Sequence, residues 1–397
     1  MASHIISSST SSSDLLTVSA LKRRIDALEE ENGQLLNKII KKPTPTLLRE
    51  GRAVRRLVCL AGPVVDFISE HDRRQILTAQ VNDMGTGASA NPPPSSSIEQ
   101  ERAYRSYEKL VLWCPTLARL LSATPDTVDL AAACQQLQEG ADGARGDDAA
   151  TLKVSAMQWL NEHQPVPNPP LNIRQKEGRG FYHDLTGQLL CPVDYDWADL
   201  RVRAAVRAFE PDFRVTAHSW PSFLYPEGKY DKNHPAKGLF RGGHLLQIPS
   251  NIRHSDAYSP LQVRQLLKTI ARISFKVRRR PTKLLNRTRG NVASLLKMKT
   301  VQPRAIAYIA AQLRHALSST SSWCLIDEDF DYEAFYFNIV DYFENPGSTQ
   351  KTAEINDLLL WWNRKIFGRE NVAHYRPQQV EGLSVARSKM LAPILST

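Results

Sequence analysis

The chain has 397 residues, which is enough for two or three average domains or for one large helical domain with tails. Hydrophobic residues make up 42% and charged residues 23%, an ordinary balance for a globular protein with a sizeable core, and the formal net charge of +10 favours anionic partners. The five cysteines have long spacings and form no C-x-x-C, which argues against a disulfide framework and a cysteine zinc site and fits reduced thiols inside a cell.

The ends of the chain and its hydrophobic runs give no sign of export or of membrane insertion. The N-terminus, MASHIISSSTSSSD, lacks the basic region and the apolar run of a secretory signal. No stretch of about eighteen apolar residues occurs, so no membrane span is predicted. We predict an intracellular protein whose serine-rich residues 1–13 form a disordered tail.

Residues 14–42 have the heptad pattern of a coiled coil. The a positions are Val18, Ile25, Asn32 and Ile39, and the d positions are Leu21, Leu28 and Leu35. β-branched residues at a with leucine at d favour a parallel dimer, and one asparagine at a fixes the register. We therefore predict a homodimer, with an amphipathic helix that folds back on its own domain as the alternative. A basic zipper is excluded because the segment upstream is serine-rich.

Two prolines in KKPTPT end the coiled coil, and a helical segment is predicted over residues 47–81 with a kink at Pro63. The composition of residues 82–99 is typical of a flexible linker or loop. A helical core domain follows at 100–368, and residues 369–397 form a C-terminal tail.

The first long helices of the core domain are predicted from their end signals. Thr124 and Pro125 suit the cap and the first turn of a helix, and Gly140 suits its end. Another helix is predicted to start at Asp147 or Asp148.

Further helices are predicted along the rest of the chain. One starts near Asp196 as its cap, and two others have Pro260 and Pro303 at the first helical position. An aromatic helix, DYEAFYFNIVDYFE, precedes a last helix that ends at Gly368. Strand-like alternation is nearly absent. The predicted fold is mainly α, an irregular multi-helix globular domain with long ordered loops, preceded by a short N-terminal coiled coil.

Several long stretches resemble a known family. They include GADGARGDDAATLK, GRGFYHDLTGQLLCPVDYDWAD and WPSFLYPEGKYDKNHPAKGLFRGGHLL, followed by AIAYIAAQLRHALSS and LLLWWNRKIFG. Their order is similar to that of a domain family of unknown function from basidiomycete fungi. The resemblance covers about residues 47–368, and it implies no activity, cofactor or catalytic residue.

Candidate chemistries from the residues themselves are weak. The pair His183 and Asp184 occurs in metal-dependent phosphohydrolases, but no other histidine stands at a supporting helical spacing. Asp194 and Asp196 could bind a hard cation or act as an acid/base pair, although carboxylates ahead of a helix more often cap it. We predict no catalytic residue, no metal and no cofactor.

The loop at residues 220–246 is rich in aromatic residues, prolines and glycines. Trp220, Tyr225, Tyr230 and Phe240 could fasten a long connection onto the helical core, because buried aromatics supply large contact areas. The alternative is a groove for a ligand or partner, since long irregular loops are uncommon unless they have a role.

Residues 275–299 hold nine lysines or arginines and no acidic residue. The candidate binding residues are Lys276, Arg278, Arg279, Arg280, Lys283, Arg287 and Arg289. A cluster this dense favours phosphates or an import receptor, and KVRRRPTK suits a nuclear-localisation signal. The alternative is a solvated loop whose charge is offset by the acidic residues 326–333.

The function predicted from these features is that of a non-enzymatic interaction protein, in the nucleus or otherwise the cytoplasm. It would self-associate through its coiled coil and bind nucleic acid or an acidic protein through residues 275–299. One alternative is an enzyme of unknown class with a pocket between segments 178–199 and 220–246, and another is a structural scaffold.

Overall fold

The computed structural model describes Arg24 and residues 45–83, 96–123, 125–162, 166–226, 229–246, 298 and 300–367. Over these residues the chain is mainly α-helical with long irregular connections, as predicted. It divides into two units, residues 1–145 and residues 146–397. The predicted tails, the coiled-coil seam, the helix at Pro260 and all seven candidate basic residues of segment 275–299 lie outside the described residues.

The first unit contains α1 (Pro45–Leu57), α2 (Val64–Asp83), α3 (Ile98–Trp113), α4 (Pro115–Ser122) and the start of α5 (Thr127–Asn161). The kink predicted at Pro63 is a complete break between α1 and α2, where Gly62 adopts φ +68°. A capping box starts α3: Ser97 accepts from the Gln100 N–H at 3.2 Å, and Gln100 Oε1 accepts from the Ser97 N–H at 2.9 Å. The helix bounds place Asp83 and Ile98, both inside the expected linker 82–99, in helices.

The prediction that a helix ends at Gly140 and another begins at Asp147 or Asp148 is wrong. Helix α5 runs through all three positions as one element of 35 residues. Gly140 lies where α5 packs against α1, and a Cβ atom there would overlap the carbonyl oxygen of Leu48. Gly51 of α1 lies equally close to the backbone of Leu137. The glycine therefore permits close contact between two helix backbones and does not stop the helix.

Among its described residues, the second unit contains the rest of α5 and six further helices. They are α6 (Asp184–Leu190), α7 (Leu200–Arg207), α8 (Gly243–Leu246), α9 (Pro303–Leu317), α10 (Tyr332–Glu344) and α11 (Thr349–Phe367). Single 3-10 turns occur at Gly180–Tyr182, Pro211–Phe213 and Ser222–Leu224. Strands β1 (Ile326–Asp327) and β2 (Phe330–Asp331) form a small antiparallel hairpin just before α10.

Helix α9 forms the centre of the second unit and is buried along almost its whole length. Pro303 is in its first turn, as predicted. α9 packs against α10, which begins where Asp331 accepts hydrogen bonds from the backbone N–H groups of Glu333 and Ala334. Arg304 at the start of α9 pairs with Glu344 at the end of α10 through an Nε–Oε1 contact of 2.8 Å.

Within the described ranges, no helix is long and apolar enough to cross a membrane.

Candidate functional site

A cavity of about 530 Å³ lies in the second unit between residues 185–198 and residues 222–244. It occurs where the enzyme alternative predicted a pocket, between segments 178–199 and 220–246. Its volume is within the range of about 300–1,000 Å³ that is usual for small-molecule sites.

Backbone hydrogen bonds hold the two segments side by side where they line the cavity. The Ser222 N–H donates to the Cys191 carbonyl at 2.9 Å, and the Val193 N–H donates to the Trp220 carbonyl at 3.0 Å. Between these bonds Pro192 and Pro221 form an isolated antiparallel bridge. The cavity wall is therefore joined by main-chain contacts and does not depend on side-chain packing alone.

The aromatic residues of the 220–246 loop divide into two groups. Trp220 and Phe240 pack on each other with ring centroids 5.7 Å apart, and they contact Phe335 and Phe343 of α10 at 6.3 and 5.1 Å. These two residues fasten the loop to the core, as the first interpretation expected. Tyr225 and Tyr230 instead line the cavity.

The two cavity tyrosines form an edge-to-face pair with ring centroids 5.1 Å apart. The Tyr225 hydroxyl donates to the Pro235 carbonyl at 2.8 Å, and the Tyr230 hydroxyl donates to Asp194 Oδ1 at 3.3 Å. Both hydroxyls are thus held by the protein, which orients the rings as fixed surfaces of the wall.

Trp197 forms another part of the wall and is held on several sides. Its Nε1–H donates to the Asp184 carbonyl at 3.0 Å, and its six-membered ring occupies the position that a side chain at Gly187 would take. The guanidinium groups of Arg203 and Arg207 lie 5.6 and 5.7 Å from the ring centroid and pair with the Asp184 carboxylate.

The prediction that Asp196 caps the following helix is wrong. The N-cap of α7 is Asp199, whose Oδ1 accepts from the Arg201 N–H at 2.8 Å. Asp196 lies one turn earlier, in the cavity wall, where its Oδ1 accepts from the Ala198 N–H at 2.9 Å. A tight turn between the two aspartates separates the wall from the helix start.

Burial and nearby carboxylates raise the pKa values of three groups in the cavity wall. Burial raises the pKa of the Cys191 thiol to about 12, and the Asp196 charge acts in the same direction. Burial also raises the pKa values of Tyr225 and Tyr230, and the charge of Asp194 contributes to both. All three groups are therefore protonated at neutral pH.

The His183–Asp184 pair has a structural role. His183 caps α6, because its Nδ1 accepts from the Leu185 N–H at 3.1 Å while its Nε2 lies 2.7 Å from the Pro169 carbonyl and donates to it. Asp184 is engaged with the two arginines at Trp197. In the part of the chain that the structure describes, no group of three His, Cys, Asp or Glu side chains could hold a metal ion.

A buried cationic cluster at the C-terminal end of α9 was missed by the sequence analysis. The Arg179 guanidinium is 1% exposed and donates to the carbonyls of Ala316, Asn172, Ile173 and Lys153 at distances between 2.7 and 3.3 Å.

Lys176 belongs to the same cluster. Its Nζ donates to the His315 carbonyl, and burial, assisted by the Arg179 charge, lowers its pKa to about 7. Two basic side chains at a helix C-terminus complement its dipole. The surrounding sequence, RQKEGRG, is typical of a solvated polar loop. The burial of Lys176 and Arg179 was therefore not predicted from the sequence.

Comparison with protein-family models matches residues 139–367 to a family described as Family of unknown function (DUF6698). The match contains the whole cavity wall and confirms the predicted resemblance to a domain family of unknown function, although it starts well after residue 47. No curated protein and no solved structure matches the chain.

Proposed function

The chain belongs to this family of unknown function, because the family match spans more than half of the chain. We propose a function for the protein from the properties of its cavity. The protein is a non-enzymatic interaction protein that holds a ligand, or a side chain of a partner, between residues 185–198 and 222–244. The observation that carries the proposal is the 530 Å³ cavity with aromatic and apolar walls.

The composition of the wall supports binding. Leucine, proline, valine, tryptophan and tyrosine side chains line the cavity together with a few polar groups, a combination typical of ligand sites. The tyrosines and Trp197 are held by hydrogen bonds before any ligand arrives, so little side-chain freedom would be lost on binding.

The same wall gives less support to nucleophilic catalysis. Cys191, with its pKa raised to about 12, is a thiol at neutral pH, whereas the thiolate is the nucleophile. Asp231 and His234 form a carboxylate–histidine contact at 3.1 Å but do not line the cavity, whereas His244 does. We therefore favour binding over the enzyme alternative.

Filling the cavity is expected to weaken the binding of a neutral apolar probe. Ala198 is an exposed residue of the wall, so Ala198→Trp would place an indole in the cavity with little effect on the core. We expect the affinity for Nile red, followed by its fluorescence, to fall at least about tenfold. Ala150→Trp, at an exposed position of α5, is the matched control and should bind as the unmodified chain does. Equal affinities in the two variants would contradict the proposal.

A second proposed interaction uses residues 275–299, with two chains joined by the coiled coil at 14–42. The supporting observation is the nine basic residues without an acid, in a chain of net charge +10. The partner is an anion, either nucleic acid or an acidic protein, and the run KVRRRPTK supports a nuclear location.

Binding to labelled duplex and single-stranded nucleic acid across a salt series tests this second interaction. If phosphates are contacted, the logarithm of the binding constant should fall with the logarithm of salt by about 0.7–0.9 per contact. Changing Arg278, Arg279 and Arg280 to glutamine should flatten that slope. The same change at the exposed Lys229, Lys232 and Lys237 removes equal charge and should leave the slope closer to that of the unmodified chain. Absence of binding at low salt would eliminate nucleic acid as the partner.

A further inference from the structure

We propose that the cavity between residues 185–198 and 222–244 selects an organic cation, namely an ammonium group on a compact apolar body. This inference rests on the proposed binding function and adds the chemical class of the ligand. The charges of the wall, their effect on neighbouring groups and the arrangement of the aromatic rings support it.

The fixed charges at the wall are negative. Asp196 lines the cavity, and Asp194 accepts a hydrogen bond from the hydroxyl of Tyr230, which also lines it. None of the described residues that line the cavity is a lysine or an arginine, and the histidine among them is His244. The formal charge of +10 comes from residues 247–300, which hold thirteen lysines and arginines against one acidic residue, and the rest of the sequence is close to neutral.

Four titratable groups at the wall have pKa values raised by burial and, to a smaller extent, by nearby carboxylates. Burial is the first cause that raises the pKa values of Cys191, Tyr195, Tyr225 and Tyr230, and acidic neighbours raise each of them further. Within the described ranges, no basic side chain acts on any of the four in the opposite direction. The carboxylates of Asp194 and Asp196 therefore act on groups along the wall, and a cation beside them would be attracted by the same two charges.

Aromatic rings supply the complementary surface for the apolar part of such a cation. Tyr225 and Tyr230 both line the cavity, and their ring planes meet at 73° as a tyrosine corner. Aromatic faces attract cations within about 6 Å of the ring centroid, and most strongly where water is excluded. Trp197 already has Arg203 and Arg207 over its ring, so the tyrosine corner is the more suitable contact.

Choline and its uncharged carbon isostere 3,3-dimethylbutan-1-ol form a matched pair for the test, because they differ in charge and hardly in shape. Titration with each, followed by calorimetry, should give an affinity for choline about tenfold higher. Asp196→Asn should reduce that preference about threefold. Asp199→Asn is the matched control, since asparagine caps a helix as well as aspartate does and Asp199 is outside the wall.

The outcomes separate this inference from the binding function itself. If the alcohol binds as tightly as choline, or if Nile red binds and choline does not, the cation inference is overturned while the cavity remains a binding site. If Nile red and both small molecules fail to bind, both proposals fall. A trimethyl-lysine derivative with blocked termini identifies the source of the cation: tighter binding than choline indicates a peptide side chain, and weaker binding indicates a free amine.

Discussion

Replacing Gly140 with alanine is expected to lower the free energy of unfolding by about 3 kcal/mol. The new methyl group would overlap the carbonyl oxygen of Leu48 and press on the backbone of Gly51, so α1 and α5 would have to separate. Backbone atoms cannot rotate away as a long side chain can, and the loss therefore lies near the upper end of the usual range for overpacking. Urea denaturation followed by circular dichroism measures the change.

Gly146→Ala is the matched control because Gly146 lies in the same helix with no neighbouring atom within 4 Å of its would-be Cβ. There the change should stabilise the protein by up to about 1 kcal/mol, because alanine is the better helix former. Opposite signs at the two glycines would establish the helix contact. A stabilising effect at both positions would show that α1 and α5 do not approach each other at Gly140.

Replacing Arg179 with methionine is expected to cost about 3 kcal/mol of stability. Methionine fills much of the same volume but has no donors, so the carbonyl of Ala316 and the loop carbonyls of Asn172 and Ile173 would lose their partner inside the protein. Burial lowers the pKa of Arg179 to about 10, and this cost of burying the charged form offsets part of the loss. The change is measured as a shift in the urea midpoint.

Arg174→Met controls for the loss of one charge in the same loop, since Arg174 is exposed. Surface substitutions of this kind usually change stability by less than about 0.5 kcal/mol. Comparable losses of stability in the two variants would show that the carbonyl contacts of Arg179 contribute little to the free energy of unfolding.

Some helix starts that depend on local signals were predictable from the sequence, although the signal at Asp196 was not a helix cap. Pro303 marks the start of α9, and the acidic residue ahead of the aromatic run caps α10 at Asp331. In each case the physical cause, a missing N–H donor or a side chain that satisfies free N–H groups, acts within one helical turn.

Features that depend on distant partners were not predictable in the same way. A glycine that ends a helix and one that lets another helix approach look alike in sequence, and only the position of Leu48 distinguishes them at Gly140. Arg179 and Lys176 belong to the core because of carbonyl groups more than 130 residues further along the chain. The candidate cavity was located more easily, because its two aromatic loops stand out in composition, whereas its acidic character depends on which residues face inward.

The contact between Gly187 and Trp197 constrains how this domain can change over evolution. Any side chain at position 187 would occupy the space of the indole ring, so neither residue can be replaced freely while the other remains. A larger residue at 187 requires a smaller one at 197, and the loss of the indole would release the two arginines that now lie over it. We therefore expect the two positions to covary among related chains, so that a substitution at one is accompanied by a substitution at the other.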